Sequence, residues 1–499
     1  MKKNKFLYIT LIFSILSFIS IYVLSLSGLA KIENERIVRF AAIGVFFVVA
    51  VIVALNEAIA GQARNDGYIF AKIFKTNLLV TISFAALLVL SIFPNNFGIY
   101  SSGVFVGTAA FALLCNGKIY KPAWCYYFLF FYAIFLLFGT IGTSKGFRFP
   151  ELTYSFYAIP ISFIAFQFSE ETLIKIARFF FRVMIIYVII SILYWWFNFN
   201  YLDVNFAEWV IKKVHIPTHI NDWTYQNELS PYGLYPAFYF VSSWSYYFHP
   251  SFNSFVLFFA LISGFYLFFK SKIDKFELIF FIVILLFWQL LTESRVGVIG
   301  TLLISIVSFC YYFRKKIAKP KSILLICLTG CFLFLFFNNN KQWYLLDETR
   351  KTDFTLAINY IENHKLWGSG YFEQTKALRE QEEIMKDTLP KIWNGKYYVH
   401  NQLLGNMVQF GIWGGIALIM LLAAIIIFAV KRKSYPLLMF ILSVILFMMI
   451  EEPLYGQTGI TRFTVFFVFF VAIAQSNEKI PHFDLYLWLK NKFSKKCQN

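Results

Sequence analysis

The feature that most constrains this chain is the recurrence, from end to end, of apolar runs long enough to cross a bilayer. A hydrocarbon core about 30 Å thick needs roughly 20 apolar residues in helical form. Inside it every backbone amide must find an internal partner, so each run is expected to be a helix. Candidate helices fall at 6–29, 37–60, 74–93, 98–115, 123–142, 154–168, 173–198, 250–270, 276–291, 295–313, 322–338, 402–430, 435–450 and 458–475. Two of them, 154–168 and 276–291, are short, which leaves about 12–14 spans. Only 14% of the residues are charged, and Phe alone contributes 63 of 499, more than a soluble core can hide. The expected fold class is therefore all-α: a polytopic integral membrane helical bundle with a long helical periplasmic loop.

A net charge of +18 invites a nucleic-acid reading. That reading fails, because the Lys and Arg residues lie in short links between apolar runs and form no single basic stripe. Such links are where cytoplasmic positive charge belongs. With Lys2, Lys3 and Lys5 inside and the spans alternating, the runs Lys270–Lys275, Arg314–Lys321, Lys431–Lys433 and Lys490–Lys496 all fall on the inner side. Both termini are then cytoplasmic. The run Phe6–Leu29 is too long for a signal-peptide core and reads as a retained span. The six Cys, at 115, 125, 310, 327, 331 and 497, lie in spans or inner links and imply no disulfide framework.

Two long segments, 199–249 and 339–400, come out on the outer face. Loops of this length are uncommon unless functional. The second holds helical patterns at about 345–364 and 374–388, and its end carries the densest information. Trp367-Gly368-Ser369-Gly370-Tyr371 is followed by His400-Asn401, nine residues, Gly411, two residues and Gly414. The spacing places His400 at the first turn of an apolar helix, where the positive helix end disfavours imidazolium. A neutral imidazole at a membrane surface can take a proton from a hydroxyl. Gly411 and Gly415 read as a small-xxx-small face for a second helix.

These residues resemble the O-antigen ligase and O-antigen polymerase superfamily, which includes protein O-oligosaccharyltransferases. His-Asn, nine residues, Gly-x-x-Gly is the spacing of the ligase motif. Thr292-Glu293-Ser294-Arg295-Val296-Gly297 is similar to the family's Ser-Arg-x-Gly segment opening a span, and Arg350 ahead of Gly368-x-Gly370 to its loop arginine and Gly-x-Gly turn. His249-Pro250 before Asn253 and Glu451-x-x-Leu454-x-x-Gln457-x-Gly459 resemble further family elements, so the likeness covers about 249–460.

The resemblance implies a metal-independent, inverting glycosyltransferase of the bacterial inner membrane with a periplasmic active site. It implies a donor glycan on undecaprenyl diphosphate and an acceptor hydroxyl on lipid A-core or a growing glycan, with the bilayer as solvent and no cofactor. His400 would be the catalytic base. Arg295 and Arg350, with Arg379 and Arg462 as further candidates, would bind the pyrophosphate, since a guanidinium fork meets phosphate oxygens in pairs. Asn401, Gly368, Gly370, Gly411, Gly414, His249 and Glu451 would support the site, Glu451 by orienting an arginine. The spacing at His400 favours ligase over repeat-unit polymerase, with protein O-oligosaccharyltransferase third and a lipid-linked glycan flippase as the non-enzymatic rival. His215 and His219 have metal-ligand spacing, but Pro217 lies between them and no third ligand is apparent. The chain then divides into 1–248, N-terminal spans with the loop 199–249; 249–476, the ligase-like region with the loop 339–400; and 477–499, a basic tail.

Overall fold

The computed structural model describes residues 76–91, 95–138, 149–201, 250–291, 294–313, 348–370, 373–385, 399–454, 456–485 and 488. The expected spans at 6–29, 37–60 and 322–338, the segment 202–249 and His249 lie outside the described residues. Among the described residues there are fourteen α-helices and one two-stranded sheet, the architecture of an all-α polytopic membrane protein.

Two compact units form, Met1–Gly67 with Ala177–Tyr344, and Tyr68–Ile176 with Leu345–Asn499. In chain order the helices are α1 (Thr76–Leu90), α2 (Asn95–Asn116), α3 (Cys125–Phe138), α4 (Phe149–Ser162), α5 (Glu170–Tyr201), α6 (Pro250–Phe269), α7 (Lys275–Leu291) and α8 (Arg295–Tyr312). They continue with α9 (Glu348–Asn363), α10 (Gln374–Ile384), α11 (Gln402–Phe410), α12 (Ile412–Lys431), α13 (Tyr435–Met448) and α14 (Gly456–Gln475).

In the first unit α6 packs on α7 and α8. The approach of α6 to α8 depends on small residues. A methyl group on Gly297 would lie 2.3 Å from Ser254 Oγ, and one on Gly300 would lie 2.2 Å from the Phe258 ring. Ser294 caps α8 by accepting from the Gly297 amide at 3.2 Å, and Ser254 donates to the same hydroxyl at 2.9 Å. The Ser-Arg-x-Gly segment is thus a capped helix start pressed against a neighbour.

In the second unit α14 is the central helix, with Phe463 and the run Val465–Val471 buried against α4, α13 and α2. Strands β1 (Lys118–Tyr120) and β2 (His482–Asp484) pair antiparallel. Helices α9 and α10 pack on each other over Leu356, Ala357, Tyr360, Ala377 and Leu378, and Val399 and Val408 join that cluster. The loop helices are therefore seated on the start of the 402–431 segment. That segment is not the single helix that its continuous apolar pattern suggests. It breaks at Gly411, whose φ of 65° only glycine adopts without strain.

Candidate functional site

The site is assembled where residues 399–402 meet the turn after α13. His400 does not lie in the first turn of α11. It precedes the N-cap, Asn401, whose Oδ1 accepts from the Leu404 amide at 3.0 Å. His400 has φ 52°, a left-handed conformation that a non-glycine residue holds only when its surroundings fix it. Here three consecutive residues grip one turn. His400 Nδ1 is 3.3 Å from Glu451 Oε2, Asn401 Nδ2 donates to the Met449 carbonyl at 3.1 Å, and the Leu454 amide donates to Gln402 Oε1 at 2.7 Å.

The Glu451 side chain is 1% exposed, and its second oxygen accepts from Arg350 Nη2 at 3.1 Å. A carboxylate taken out of water is costly unless it is paired and hydrogen-bonded. Here each oxygen faces its own partner, one from the first turn of α9 and one from the residue before the N-cap of α11. The imidazole, 23% exposed, turns Nδ1 toward the carboxylate. In the tautomer that has its proton on Nδ1, the ring donates to Glu451 and Nε2 carries the lone pair.

Behind these groups runs a buried network of amides. Glu452, fully buried, accepts from Gln374 Nε2 at 3.1 Å, and Gln374 Oε1 accepts from Gln409 Nε2 at 3.1 Å. Gln402 Nε2 donates to Asn406 Oδ1 at 2.9 Å, and Asn406 Nδ2 donates to the Tyr132 hydroxyl at 2.7 Å. Glu452 rests on Gly405, where a methyl group would collide with its carboxylate oxygen. Gln374, Gln402, Asn406 and Gln409 lie outside the motifs read from the sequence. The signal was present, since Gln402, Asn406 and Gln409 recur at helical spacing on one face of an otherwise apolar stretch.

The glycines work at the opposite end of α11. There the last carbonyls of a helix lack partners. The amides of Ser369 and Gly370 donate to the carbonyls of Val408 and Gln409 at 2.8 and 2.9 Å, so the Gly368-Ser369-Gly370 turn caps the helix. A methyl group on Gly368 would lie 2.2 Å from the Gln409 carbonyl carbon, and one on Gly411 would lie 2.5 Å from the Leu366 carbonyl oxygen. Gly414 faces the Asn406 carbonyl, and Gly415 faces Met407. The expected helix-packing face is thus a different device: the glycines admit a loop and let α11 fold back over the first turns of α12.

The remaining candidates lie on other elements. Arg295 opens α8 in the other unit, and its side chain lies outside the described residues. Arg379 is exposed on α10. Arg462, 6% exposed in α14, donates from Nε to the Ser91 carbonyl at 2.8 Å. Among the described residues no three His, Cys, Asp or Glu side chains cluster as a metal site.

Residues 280–419 match the family model described as O-antigen ligase, which supports placement in the O-antigen ligase and polymerase superfamily. The match takes in Arg295, Arg350, the Gly368–Gly370 turn, His400 and the glycines after it, and it stops short of Glu451. No curated protein matches the chain.

Proposed function

We propose that a chain carrying this O-antigen ligase region is an inverting membrane glycosyltransferase. In this reading it moves a glycan from undecaprenyl diphosphate to an acceptor hydroxyl, as a ligase joining polysaccharide to lipid A-core. The observation that carries the reading is the carboxylate of Glu451 on Nδ1 of His400.

The acceptor hydroxyl gives its proton to His400 Nε2 while its oxygen bonds to the anomeric carbon. The bond from that carbon to the diphosphate oxygen breaks, and the electron pair leaves with the lipid diphosphate. A single displacement of this kind inverts the anomeric centre. Glu451 holds the ring in the productive tautomer and stabilises the imidazolium that forms, as carboxylates do for histidine bases elsewhere. The family resemblance assigns the leaving diphosphate to guanidinium groups, Arg295 and Arg350 first, with Arg379 and Arg462 as further candidates. A metal-free reaction needs such fixed cations, because charge builds on the departing oxygen.

The length of α12 supports the location of the chemistry. Its 20 residues rise about 30 Å, one hydrocarbon thickness. Lys431, Arg432 and Lys433 cluster at its far end, and short basic links favour the cytoplasm. His400 precedes α11, which folds back beside the other end, and in this reading it faces the periplasmic side of a bacterial inner membrane.

The decisive experiment compares surface polysaccharide with free lipid-linked polymer in cells carrying His400→Ala at normal protein level. Lost ligation with polymer accumulating on its carrier is the expected result. Single-repeat products would mean that the chain is a repeat-unit polymerase, and normal ladders would remove the base assignment.

A further inference from the structure

Helix α12 presents one exposed apolar face. Ile412, Ile416, Ile419, Met420, Ile427 and Val430 are exposed at helical intervals, while Leu418, Leu421 and Phe428 on the other side are buried. In a membrane span such a stripe is the side turned to lipid. At its upper end lies the connection between α9 and α10. The Ile412 amide donates to the Lys365 carbonyl at 2.9 Å, and the Gly411 Cα is packed against the Leu366 carbonyl.

The next two side chains of that connection are apolar and uncovered. Leu366 is 57% exposed and Trp367 is 77% exposed, the highest value for a large hydrophobic among the described residues. Trp413, in the first turn of α12, is 47% exposed. Isolated exposed apolar residues are ordinary. These are neighbours at one level, continuous with the lipid-facing stripe, and they include the residue type that prefers the membrane–water boundary.

We infer that Leu366 and Trp367 insert into the headgroup–acyl boundary of the leaflet at the Gly411 end of α12. The partner is the lipid surface itself. The loop is then pinned twice, by hydrogen bonds to the end of α11 and by its own side chains in the bilayer. Helices α9 and α10, which carry Arg350 and Gln374, are held at headgroup depth as a result.

The test places p-benzoylphenylalanine at position 367, 419 or 376 of the full-length protein in native membranes. Irradiation is followed by mass spectrometry of the adducts. Ile419 on the lipid-facing stripe sets the positive reference, and Lys376, a solvent-exposed side chain on α10, sets the negative one. Phospholipid adducts at 367 comparable to those at 419 and well above those at 376 are expected. Adducts at 419 with none at 367 would overturn the anchor. Carbohydrate adducts at 367 would overturn it too, making Trp367 a platform for sugar. An independent readout is trypsin cleavage after Lys365 in reconstituted vesicles. Trp367→Tyr should leave it unchanged and Trp367→Asp should raise it, whereas equal cleavage in both would sink the proposal.

Discussion

His400 Nδ1 and Glu451 Oε2 lie 3.3 Å apart although 51 residues separate them in the chain. In the proposed reading the pair makes a partly buried left-handed residue an oriented base, with the carboxylate selecting the ring nitrogen that carries the proton. Glu451 is in turn held by Arg350 across 101 residues, so three distant segments converge on one carboxylate.

Glu451→Gln tests the orienting role. It keeps the shape of the side chain and removes its charge, and the amide can present either end to the ring. The rate of glycan transfer should fall by about 10²–10⁴. The apparent KM for the lipid-linked donor should change little. A variant with normal kcat would show that the carboxylate does not act through His400.

Arg350 and Glu451 should behave as a unit. Arg350→Ala leaves a carboxylate at 1% exposure short of its cationic partner, a loss of about 1–3 kcal/mol for a buried acceptor. The activity losses of Arg350→Ala and Glu451→Gln should then be strongly less than additive in the double variant. Additive losses would instead make Arg350 a separate phosphate ligand.

Gly411→Ala should be poorly tolerated for two reasons. A φ of 65° with ψ of −162° is a conformation that costs a non-glycine residue about 1–3 kcal/mol. The added methyl group would also meet the Leu366 carbonyl oxygen at 2.5 Å. Lower thermal stability of the detergent-solubilised protein is the expected outcome, with a similar effect for Gly368→Ala. Gly103→Ala, which meets nothing within 4 Å, is the control and should be silent.

Gln374→Leu removes the donor that Glu452 receives from α10. A buried carboxylate losing that bond should cost about 1–3 kcal/mol. The loss should concentrate in the docking of α10, so hydrogen exchange should accelerate over 374–384 before it changes in α12. Unchanged protection of α10 would mean that the amide network is not what seats it.

Reporter fusions within 386–398 should be active only on the non-cytoplasmic side, and fusions at Lys433 only inside. The reverse pattern would put His400 on the wrong side of the membrane for a lipid-diphosphate donor.

The helices that apolar length defines were legible in the sequence. Lys275–Leu291, Tyr435–Met448 and Gly456–Gln475 fall within two residues of the ends expected from hydropathy alone. The break at Gly411 was not, because Phe410-Gly411-Ile412-Trp413 continues an apolar run and a backbone reversal leaves no mark on hydropathy. The two short strands were equally silent, since three residues carry no usable period. For the site, His400 stood out by its spacing to the glycines. Its contact with Glu451 did not, because a pairing between remote turns depends on how the intervening helices return the chain.

Between His400 and Glu451 the chain runs down through α12, reverses at 432–434 and climbs back through α13. In the proposed topology the two halves of the dyad meet only after both helices have been threaded through the membrane in opposite senses. A failure of either insertion would strand the imidazole and the carboxylate in different compartments. On that reading the hairpin makes activity conditional on correct biogenesis: a mis-inserted molecule would be inert, with no base able to act on the wrong hydroxyl.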